Sequence, residues 1–598
     1  MIYSATDTYT LLGAFVDELA RCGMRDACTS PGSRSTPLLL TLARDDRLRC
    51  HSHVDERCAG FFALGLAKAS GLPVAITCTS GTAVAELLPA VVEAHEARVP
   101  LIVLSADRPP ELREVGAGQT IDQLKIFGEF AKWFFEVGTH EATSERVRWM
   151  RALACRAWWT ALEGRPGVVH LNFPLREPLV CDELPGAVGE GRPNGDPYVS
   201  RASQDSDASS AAGTLLELIG SSRRGVLVAG RHERETPLGQ AAAKFCELAG
   251  WPLLADPMSG ARRGSAAIAH YDALLRGAGF LGEHTPEVVI RIGDLPVSKP
   301  LRTWLASLTD TRQVVLDPES SWQDPATVLS DSIGAEPTAT LSALTQMLEA
   351  SSVTDPDWLA GWRSADERAA EAILGVLGAS GCGEPSIAAE LGVLLPEEAT
   401  LFVASSMPVR DIETFWPVRP DPPRVLCNRG ANGIDGTVSS AFGAAATSDR
   451  PVVLLIGDVA FAYDIGGLLA AKRLSLKLTI VLLNNEGGGI FDFLPIAGSE
   501  MARGSLPGAM SDHRDSEGAA PDIYTQHIAT PTGLDFSQAA ALYGLGHETV
   551  ADVAGFRAAL ERALASPHSA IVEVRTGRDA NVALHRRVWS AVAGVLSP

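Results

Sequence analysis

Two short apolar runs of the sequence each end in side chains that carry oxygen. Asp458 follows the run 452–456, and Asn485 follows the run 479–483. Buried parallel strands place their carboxyl ends at one edge of a sheet, where ligands bind in open α/β folds. A carboxylate, an amide oxygen and the nearby carbonyl of Gly487 suit Mg²⁺, which keeps free positions for phosphate oxygens. The pattern therefore predicts a magnesium site that binds a diphosphate.

A second group of candidate residues lies near the start of the chain. Glu56 opens an apolar helical stretch, and Ser80, Gly81 and Thr82 follow an apolar run. Gly81 has no side chain, so the backbone of this turn can approach a flat ring closely. Two ordinary alternatives stay open. Glu56 can simply stabilise the start of its helix, and the oxygen-bearing residues can be the ends of two unrelated strands.

The elements that must position these residues are predicted from short β-branched runs that alternate with helix-like stretches. Such alternation predicts parallel sheets that are covered by helices on both faces. The predicted class is α/β, with doubly wound parallel sheets. The ten runs are residues 74–79, 101–105, 168–172, 226–229, 288–292, 314–316, 401–404, 452–456, 479–483 and 571–574.

The length of 598 residues exceeds what one hydrophobic core accommodates, so several domains are expected. Residues 182–213 are dense in Gly, Pro, Ser and Asp, which indicates a linker. A second boundary is placed near 378–384, after a helical stretch. A polar stretch at 498–532 is interpreted as a mobile active-site loop or an insertion. The predicted organisation is a first domain at 1–182, a linker at 183–213, a central domain at 214–378 and a last domain at 379–598.

Composition and charge argue against several classes of protein. Hydrophobic residues make up 46% and charged residues 21% of the chain, which is ordinary for a globular protein. The formal net charge of -21 disfavours binding to nucleic acid. The ten cysteines lack zinc-site spacing. No apolar run reaches the about 18 residues of a membrane span. The first residues lack the basic and apolar parts of a signal peptide, so a cytoplasmic location is expected.

Gly457-Asp458 followed by Asn484-Asn485, together with Glu56, resembles the motif of the thiamine-diphosphate-dependent enzymes. The resemblance is incomplete, because Val459 stands where the family has a glycine. It implies a pyrimidine-binding domain, a central domain and a diphosphate-binding domain, with thiamine diphosphate and Mg²⁺ or Mn²⁺ as cofactors. It also implies that the glutamate hydrogen bonds the aminopyrimidine and favours the tautomer that deprotonates the thiazolium carbon.

Longer segments resemble one branch of this family, the 2-succinyl-5-enolpyruvyl-6-hydroxy-3-cyclohexene-1-carboxylate synthases of menaquinone (vitamin K2) biosynthesis. The resemblance implies a transferase that decarboxylates 2-oxoglutarate and adds the succinyl carbanion equivalent to isochorismate. Both substrates are dicarboxylates, so the acidic chain has to gather cations locally. The segments concerned are Thr29–Pro37, Ala106–Leu112, Asn428–Gly436 and Gly489–Phe491.

The resemblance also implies roles for individual residues. Arg410 and Ser406 would hold the group derived from 2-oxoglutarate, and Gln119 would lie near the reacting centre. Ile434 would support the bent cofactor, and Phe491 would line the isochorismate side. The residues implied around isochorismate are Ser33, Arg34, Arg108, Lys299 and Arg429. Those implied at the cofactor are Glu56, Ser80, Gly81, Thr82, Ser406, Gly433, Ile434, Asp458 and Asn485. The catalytic set is Glu56, Gln119, Arg34, Arg410 and Arg429, and the metal ligands are Asp458, Asn485 and Gly487.

Ordinary alternatives stay open for these residues as well. Each cation can be part of a surface ion pair that contributes little, and Ile434 and Phe491 can be core residues. All five implied cations are expected at strand ends or in loops; they are Arg34, Arg108, Lys299, Arg410 and Arg429. Lys299 is followed by Pro300 where the family tends to have another cation, and Arg302 is the candidate substitute.

Two other functions stay open at this point. One is another thiamine-diphosphate decarboxylase or carboligase that uses pyruvate, and the other is a non-catalytic ligand-sensing protein on the same fold. The resemblance implies self-association into a homodimer or homotetramer, with the cofactor between two chains. The segment 277–282 has the spacing of a dinucleotide fingerprint, but it follows a helix-like stretch and is expected to be a loop. The central domain is expected to be structural, without a flavin.

Overall fold

The computed structural model describes residues 4–183, 185–186, 188–201, 208–220, 222–232, 237–348, 355–447, 449–502 and 522–596. These residues form three sheets in which neighbouring strands run parallel. The predicted α/β class with three parallel sheets is confirmed.

The strands are numbered in chain order. They are β1 Asp26–Thr29, β2 Arg49–Ser52, β3 Val74–Cys78, β4 Leu101–Asp107, β5 Ala131–Glu136, β6 Val168–Pro174, β7 Gly225–Ala229, β8 Leu253–Ala255, β9 Val288–Ile292, β10 Arg312–Leu316, β11 Asp331–Ile333, β12 Thr400–Val403, β13 Arg424–Cys427, β14 Val452–Gly457, β15 Thr479–Asn484, β16 Gly546–Val550 and β17 Ala570–Arg575.

The α-helices are numbered in the same way. They are α1 Ala5–Cys22, α2 Thr36–Arg44, α3 Glu56–Ser70, α4 Thr82–Ala85, α5 Leu88–Ala97, α6 Ser144–Leu162, α7 Ala208–Ile219, α8 Leu238–Ala249, α9 Tyr271–Leu274, α10 Ala278–Glu283, α11 Lys299–Ser307, α12 Pro337–Leu348, α13 Pro356–Gly378, α14 Glu384–Leu394, α15 Met407–Phe415, α16 Thr437–Ala445, α17 Asp458–Tyr463, α18 Leu469–Arg473, α19 Phe536–Tyr543, α20 Val553–Ala565 and α21 Arg578–Leu596.

The chain divides into two compact units. The first comprises Met1–Gln204, Asn428–Asp449 and Asp464–Lys477, and the second comprises Asp205–Cys427, Arg450–Tyr463 and Leu478–Pro598. The predicted boundaries at 182, 213 and 378 stay predictions, although α7 begins within the span predicted as a linker. Residues 503–521 of the predicted polar loop lie outside the described residues.

The first unit is built on a six-stranded sheet with the order β2-β1-β3-β4-β6-β5. Its central strands β3, β4 and β6 are buried along their whole length, as parallel strands covered on both faces should be. Phe15 of α1 packs on Phe173 of β6, with ring centroids 5.7 Å apart in an edge-to-face arrangement. The carboxyl ends of β3 and β4 lead directly into the turns that carry Ser80 and Arg108.

Two helices of the first unit, α3 and α16, cross in backbone contact. A Cβ atom on Gly65 of α3 would lie 1.9 Å from the carbonyl oxygen of Ser440. A Cβ atom on Gly443 of α16 would lie 2.1 Å from the carbonyl oxygen of Phe62. The Ser440 hydroxyl donates a hydrogen bond to the carbonyl oxygen of Phe61 at 3.0 Å. The two glycines therefore set how closely the helices approach.

Two sheets share one hydrophobic core in the second unit. Their strand orders are β11-β10-β9-β7-β8 and β13-β12-β14-β15-β17-β16. The core joins Val226 of β7 and Val453 of β14 to Trp362 of α13. The Trp362 ring is fully buried and packs edge-to-face on Phe280, with centroids 4.9 Å apart. Burial of such aromatic rings is a large source of stability.

The ten predicted runs all form strands, whereas the central strand β1 and the six edge strands of the described sheets are not among them. These six are β2, β5, β8, β11, β13 and β16. The expectation of a loop at 277–282 is wrong, because α10 covers most of that segment. The preceding element is the short helix α9, so the strand that a dinucleotide fingerprint requires is not there. Among the described residues, no helix has the length and apolar character that crossing a membrane requires.

We expect Gly65→Ala to lower the midpoint of thermal unfolding, because its Cβ would overlap the Ser440 carbonyl. The free energy of unfolding should fall by about 1–3 kcal/mol or more. Gly375→Ala is the matched control, since no atom lies within 4 Å of the added Cβ in α13. It should leave stability unchanged or raise it by up to about 1 kcal/mol. Equal midpoints for the two variants would contradict a helix crossing limited by backbone contact.

Candidate active site

Asp458 lies at the carboxyl end of β14, between the ends of its neighbours β12 and β15. The side chain is only 2% exposed, and one carboxylate oxygen accepts a hydrogen bond from the amide of Gly487 at 2.9 Å. Burial raises the pKa of Asp458 to about 6, although the amides of Gly487 and Val459 and the charge of Arg578 act in the opposite direction. A cation placed here would offset the cost of burying this carboxylate.

Asn485 directly follows β15, which pairs with β14, the strand that ends just before Asp458. Its Nδ2 donates a hydrogen bond to Oε1 of Glu384 at 2.8 Å. Its Oδ1 is buried and has no hydrogen-bond partner among the described residues. An unpartnered oxygen beside a buried carboxylate fits a hard cation such as Mg²⁺. The carbonyl of Gly487 accepts one hydrogen bond, from Gly489 at 2.9 Å, and has a second lone pair for a metal.

Sequence reasoning missed Glu384, which is the first residue of α14 and is 1% exposed. Its Oε1 also accepts a hydrogen bond from the Thr576 hydroxyl at 3.1 Å. Burial and the charge of Asp411 raise the pKa of Glu384 to about 7. The only sequence signal for Glu384 is its place in Gly-Glu-Pro at the start of a helix. The same pattern is typical of an ordinary carboxylate that stabilises the first turn of a helix.

Ser406 and Arg410 come together at the start of α15. Ser406 has a φ of +74°, a conformation that residues other than glycine rarely adopt and that clusters at functional sites. Nη1 of Arg410 donates a hydrogen bond to the Ser406 carbonyl oxygen at 2.5 Å. The expectation that all five cations lie at strand ends or in loops is wrong for Arg410, which lies inside α15. It is also wrong for Lys299, the first residue of α11.

A chain of hydrogen bonds connects α15 to the start of α11. The Thr414 hydroxyl donates to Oδ2 of Asp272 at 3.3 Å, and the Ser298 hydroxyl donates to Oδ1 of Asp272 at 2.7 Å. Ser298 caps α11, so the next residue, Lys299, is held relative to the helix of Arg410. Lys299 itself is exposed. The helices α11 and α15 follow strands of the second unit. Lys299 and Arg410 can therefore lie near the carboxyl ends of strands although both residues belong to helices.

In the first unit, Glu56 begins α3 as expected, with Asp55 as the N-cap that accepts a hydrogen bond from the Cys58 amide at 3.0 Å. Burial raises the pKa of Glu56, and the charges of Asp55 and Glu86 raise it further. A raised pKa brings a carboxyl group closer to the range in which it can exchange protons at neutral pH. The acid-base role of Glu56 stays a prediction.

The turn after β3 holds Gln119 beside Ser80 and Gly81. The Ser80 hydroxyl donates to the carbonyl oxygen of Gln119 at 2.9 Å, and Nε2 of Gln119 donates back to the carbonyl oxygen of Ser80 at 3.0 Å. Gly81 has a φ of +89°, which its lack of a side chain permits. Its amide donates to Oε1 of Gln123 at 2.9 Å. The helix that Thr82 begins, α4, follows at once, as predicted.

Arg34 and Arg108 lie close together in the same unit. Nη1 of Arg108 donates a hydrogen bond to the Ser80 hydroxyl. Burial and the nearby charge of Arg34 lower the pKa of Arg108. Arg34 donates to the Leu175 carbonyl oxygen at 2.8 Å and to the exposed carboxylate of Glu177 at 3.2 Å. The structure thus gathers two predicted cations beside the turn that holds Gln119, whereas Ser33 is exposed.

The loop 428–436 carries Arg429, Gly433 and Ile434, and Glu93 of α5 holds its backbone. The carboxylate of Glu93 accepts hydrogen bonds from the amides of Gly430 at 2.8 Å and Ala431 at 2.7 Å. Nζ of the buried Lys68 lies 3.8 Å from the same carboxylate. Sequence reasoning also missed Glu93, because its partners lie more than 300 residues away. In the second unit, Phe491 lies in the 3₁₀ turn Gly489–Phe493 and is 37% exposed.

Comparison with known proteins gives three family matches. Thiamine pyrophosphate enzyme, N-terminal TPP binding domain, matches residues 10–126. Middle domain of thiamine pyrophosphate matches residues 192–403. Thiamine pyrophosphate enzyme, C-terminal TPP binding domain, matches residues 409–574.

Whole-length relatives share one name, 2-succinyl-5-enolpyruvyl-6-hydroxy-3-cyclohexene-1-carboxylate synthase. The chain is 41% identical to the protein of Listeria monocytogenes, over 98% of this chain and 97% of the relative. It is 43% identical to that of Geobacillus kaustophilus, over 97% of each chain. It is 40% identical to that of Chloroflexus aurantiacus, over 98% of this chain and 96% of the relative.

Glu93→Gln should loosen the loop 428–436. The two carboxylate oxygens accept hydrogen bonds from two backbone amides, and in the variant an NH₂ group would replace one of these oxygens, so one backbone amide would lose its acceptor. Leaving a buried donor unsatisfied costs about 1–3 kcal/mol. We expect a lower thermal midpoint and faster hydrogen exchange at Gly430 and Ala431. Glu96→Gln, on the exposed side of the same helix, should change neither. Unchanged exchange in the Glu93 variant would show that the loop is held by other contacts.

Proposed function

Because the chain belongs to the 2-succinyl-5-enolpyruvyl-6-hydroxy-3-cyclohexene-1-carboxylate synthase family of thiamine pyrophosphate enzymes, we propose that it decarboxylates 2-oxoglutarate. The decarboxylation releases CO₂, and the succinyl carbanion equivalent that remains is then added to isochorismate, as a step of menaquinone biosynthesis. The observation that carries the proposal is the pair of close cations, Arg34 and Arg108, beside the Ser80–Gln119 turn. Two such groups suit a substrate with more than one carboxylate.

When bound, thiamine diphosphate supplies the carbon nucleophile and the electron sink that decarboxylation of a 2-oxo acid requires. Asp458, Asn485 and the carbonyl of Gly487 would hold Mg²⁺, or Mn²⁺ in its place, and through it the diphosphate. The buried carboxylate and the unpartnered Oδ1 of Asn485 support this donor set. Glu56 would share a proton with a ring nitrogen of the aminopyrimidine, and its raised pKa supports that exchange.

The substrates would be held by cations and short polar groups. Arg410 and Ser406 would bind the carboxylates of 2-oxoglutarate, and the guanidinium geometry of arginine favours bidentate contact with a carboxylate. Gln119 would orient the acceptor near the reacting carbon. The isochorismate side would comprise Ser33, Arg34, Arg108, Lys299, Arg429 and Phe491. The remaining cofactor contacts would come from Ser80, Gly81, Thr82, Gly433 and Ile434.

Self-association into a homodimer or homotetramer, with the cofactor between two chains, is part of the proposal. Light scattering on the active enzyme tests it, and a fully active monomer would exclude it. A cytoplasmic location is also proposed, and cell fractionation tests it. The net charge of -21 supports small-molecule substrates over nucleic acid.

The test of the function is a comparison of substrates. Purified protein with thiamine diphosphate and Mg²⁺ should release CO₂ and consume isochorismate when 2-oxoglutarate and isochorismate are both supplied. Pyruvate in place of 2-oxoglutarate should give little product, since it lacks the distal carboxylate that Arg410 would bind. Higher turnover with pyruvate would favour the other carboligase function. No CO₂ from any 2-oxo acid would favour a ligand-sensing protein.

Glu56→Gln should separate cofactor binding from chemistry, because it keeps the size of the side chain and removes the carboxylate. Thiamine diphosphate affinity, measured by calorimetry, should stay near that of the parent. Exchange of the thiazolium C2 proton and release of CO₂ should both fall by about 10² or more, the usual scale for a positioned acid-base group. Proton exchange as fast as in the parent would leave Glu56 as a helix-start carboxylate.

Arg410→Ala should raise the KM for 2-oxoglutarate about 10- to 100-fold, with a much smaller change for isochorismate. The loss corresponds to about 1.5–3 kcal/mol for a hydrogen bond to a charged group. Arg368→Ala, which removes an exposed arginine of α13, is the control and should leave both constants unchanged. An increase confined to isochorismate would move Arg410 to the acceptor side.

A further inference from the structure

The carboxylate of Glu384 lies against the amide group of Asn485, which is one of the proposed metal ligands. Both side chains are buried, with 1% and 8% exposure. Oε1 of Glu384 is the acceptor in two contacts, from Nδ2 of Asn485 at 2.8 Å and from the Thr576 hydroxyl at 3.1 Å. The Thr576 hydroxyl helps to hold the carboxylate in place, and the carboxylate in turn accepts the hydrogen bond from the Asn485 amide.

The direction of the Asn485 amide decides whether it can bind a cation. The group carries a donor and an acceptor at similar distances from the chain, so rotation by 180° exchanges NH₂ for oxygen. With Nδ2 on Glu384, Oδ1 is the atom left buried and without a partner among the described residues. The rotated amide would set its oxygen against the Oε1 acceptor and present its NH₂ group to the metal. Both contacts would be repulsive.

Gly489 confines the amide from another side. A Cβ atom on Gly489 would lie 2.7 Å from Nδ2 of Asn485. The amide nitrogen therefore lies between the carboxylate of Glu384 and a backbone segment that has no side chain there. Gly489 borders the NH₂ group on one side and Glu384 accepts its hydrogen bond on another, and both contacts favour the orientation in which Oδ1 has no partner among the described residues.

We propose that Glu384 is a positioning residue for metal binding, which acts by holding the amide of Asn485 with its oxygen toward the cation. The proposal rests on the proposed metal site and names a residue that orients one of its ligands. Oε1 of Glu384 accepts hydrogen bonds from Nδ2 of Asn485 and from the Thr576 hydroxyl, so Glu384 would act on the metal through the Asn485 amide. Loss of a partner that orients a metal ligand typically lowers metal affinity 10- to 100-fold.

The test measures metal affinity directly, with Mn²⁺ as the probe in the presence of thiamine diphosphate and the spin resonance of free Mn²⁺ as the signal. Glu384→Met removes the acceptor at similar volume and should weaken Mn²⁺ binding by about 10- to 100-fold. Glu384→Gln can present an amide oxygen to Nδ2 and should stay within about threefold of the parent. Glu390→Ala is the control, since this carboxylate of the same helix pairs with Arg557 instead.

A double-variant comparison separates positioning from general stability. In the Asn485→Ala background there is no amide to orient, so Glu384→Met should cause no further loss of Mn²⁺ affinity. An equal loss in both backgrounds, or parental affinity in Glu384→Met, would overturn the proposal. Thermal unfolding without metal reports whether each variant folds. If Glu384→Met does not fold, Glu384→Gln decides, because a hundredfold loss there would mean that charge and not orientation matters.

The same measurement distinguishes failure of the inference from failure of the proposed function. A parent that binds no Mn²⁺ with thiamine diphosphate would remove the metal site itself, and with it the role of Glu384. A parent that binds Mn²⁺ while Glu384→Met binds it equally well would leave the metal site intact and exclude only the positioning role.

Discussion

In the first unit, the packing depends on the close contact between the backbones of α3 and α16. Glu56 begins α3, and the loop with Arg429, Gly433 and Ile434 leads into α16, so the crossing fixes these two segments relative to each other. Gly436 extends the contact, since a Cβ atom there would lie 1.8 Å from Cγ of Phe61. Protein interiors are packed as densely as organic crystals. A shift of either helix would therefore move both segments.

In the second unit the corresponding constraint is electrostatic. Three neighbouring strands, β12, β14 and β15, end at one edge and lead to Ser406, Asp458 and Asn485. Buried carboxylates there are expensive unless hydrogen bonds or cations compensate them. The amide of Gly487 supplies part of the compensation for Asp458, and the Thr576 hydroxyl supplies part for Glu384. Oδ1 of Asn485 stays without a hydrogen-bond partner among the described residues, and it is one of the proposed metal ligands.

The parts of the fold that were predictable from sequence are those that local patterns encode. Ten strands in the sheet interiors read as apolar runs, whereas β1 is buried but has the sequence Asp-Ala-Cys-Thr, which is not such a run. Edge strands such as β2 and β16 carry polar and half-exposed residues, because one of their sides has no neighbouring strand. Likewise the Gly-Asp and Asn-Asn pairs could be found by spacing. Glu384 contacts Asn485 across 101 residues, and Glu93 contacts Gly430 across 337, so no local pattern encodes either contact.

The crossing of α3 and α16 also has a consequence for how the chain is made on the ribosome. α3 ends at Ser70 and α16 begins at Thr437, so residues 71–436 are synthesised between them. At about 5–20 residues per second, this takes roughly 20–70 s. Throughout that interval α16, which packs against α3 at Gly65, has not yet been synthesised. The N-terminal segment therefore cannot complete this packing as an independent nascent domain, and the face of α3 at Gly65 stays uncovered until α16 has been synthesised.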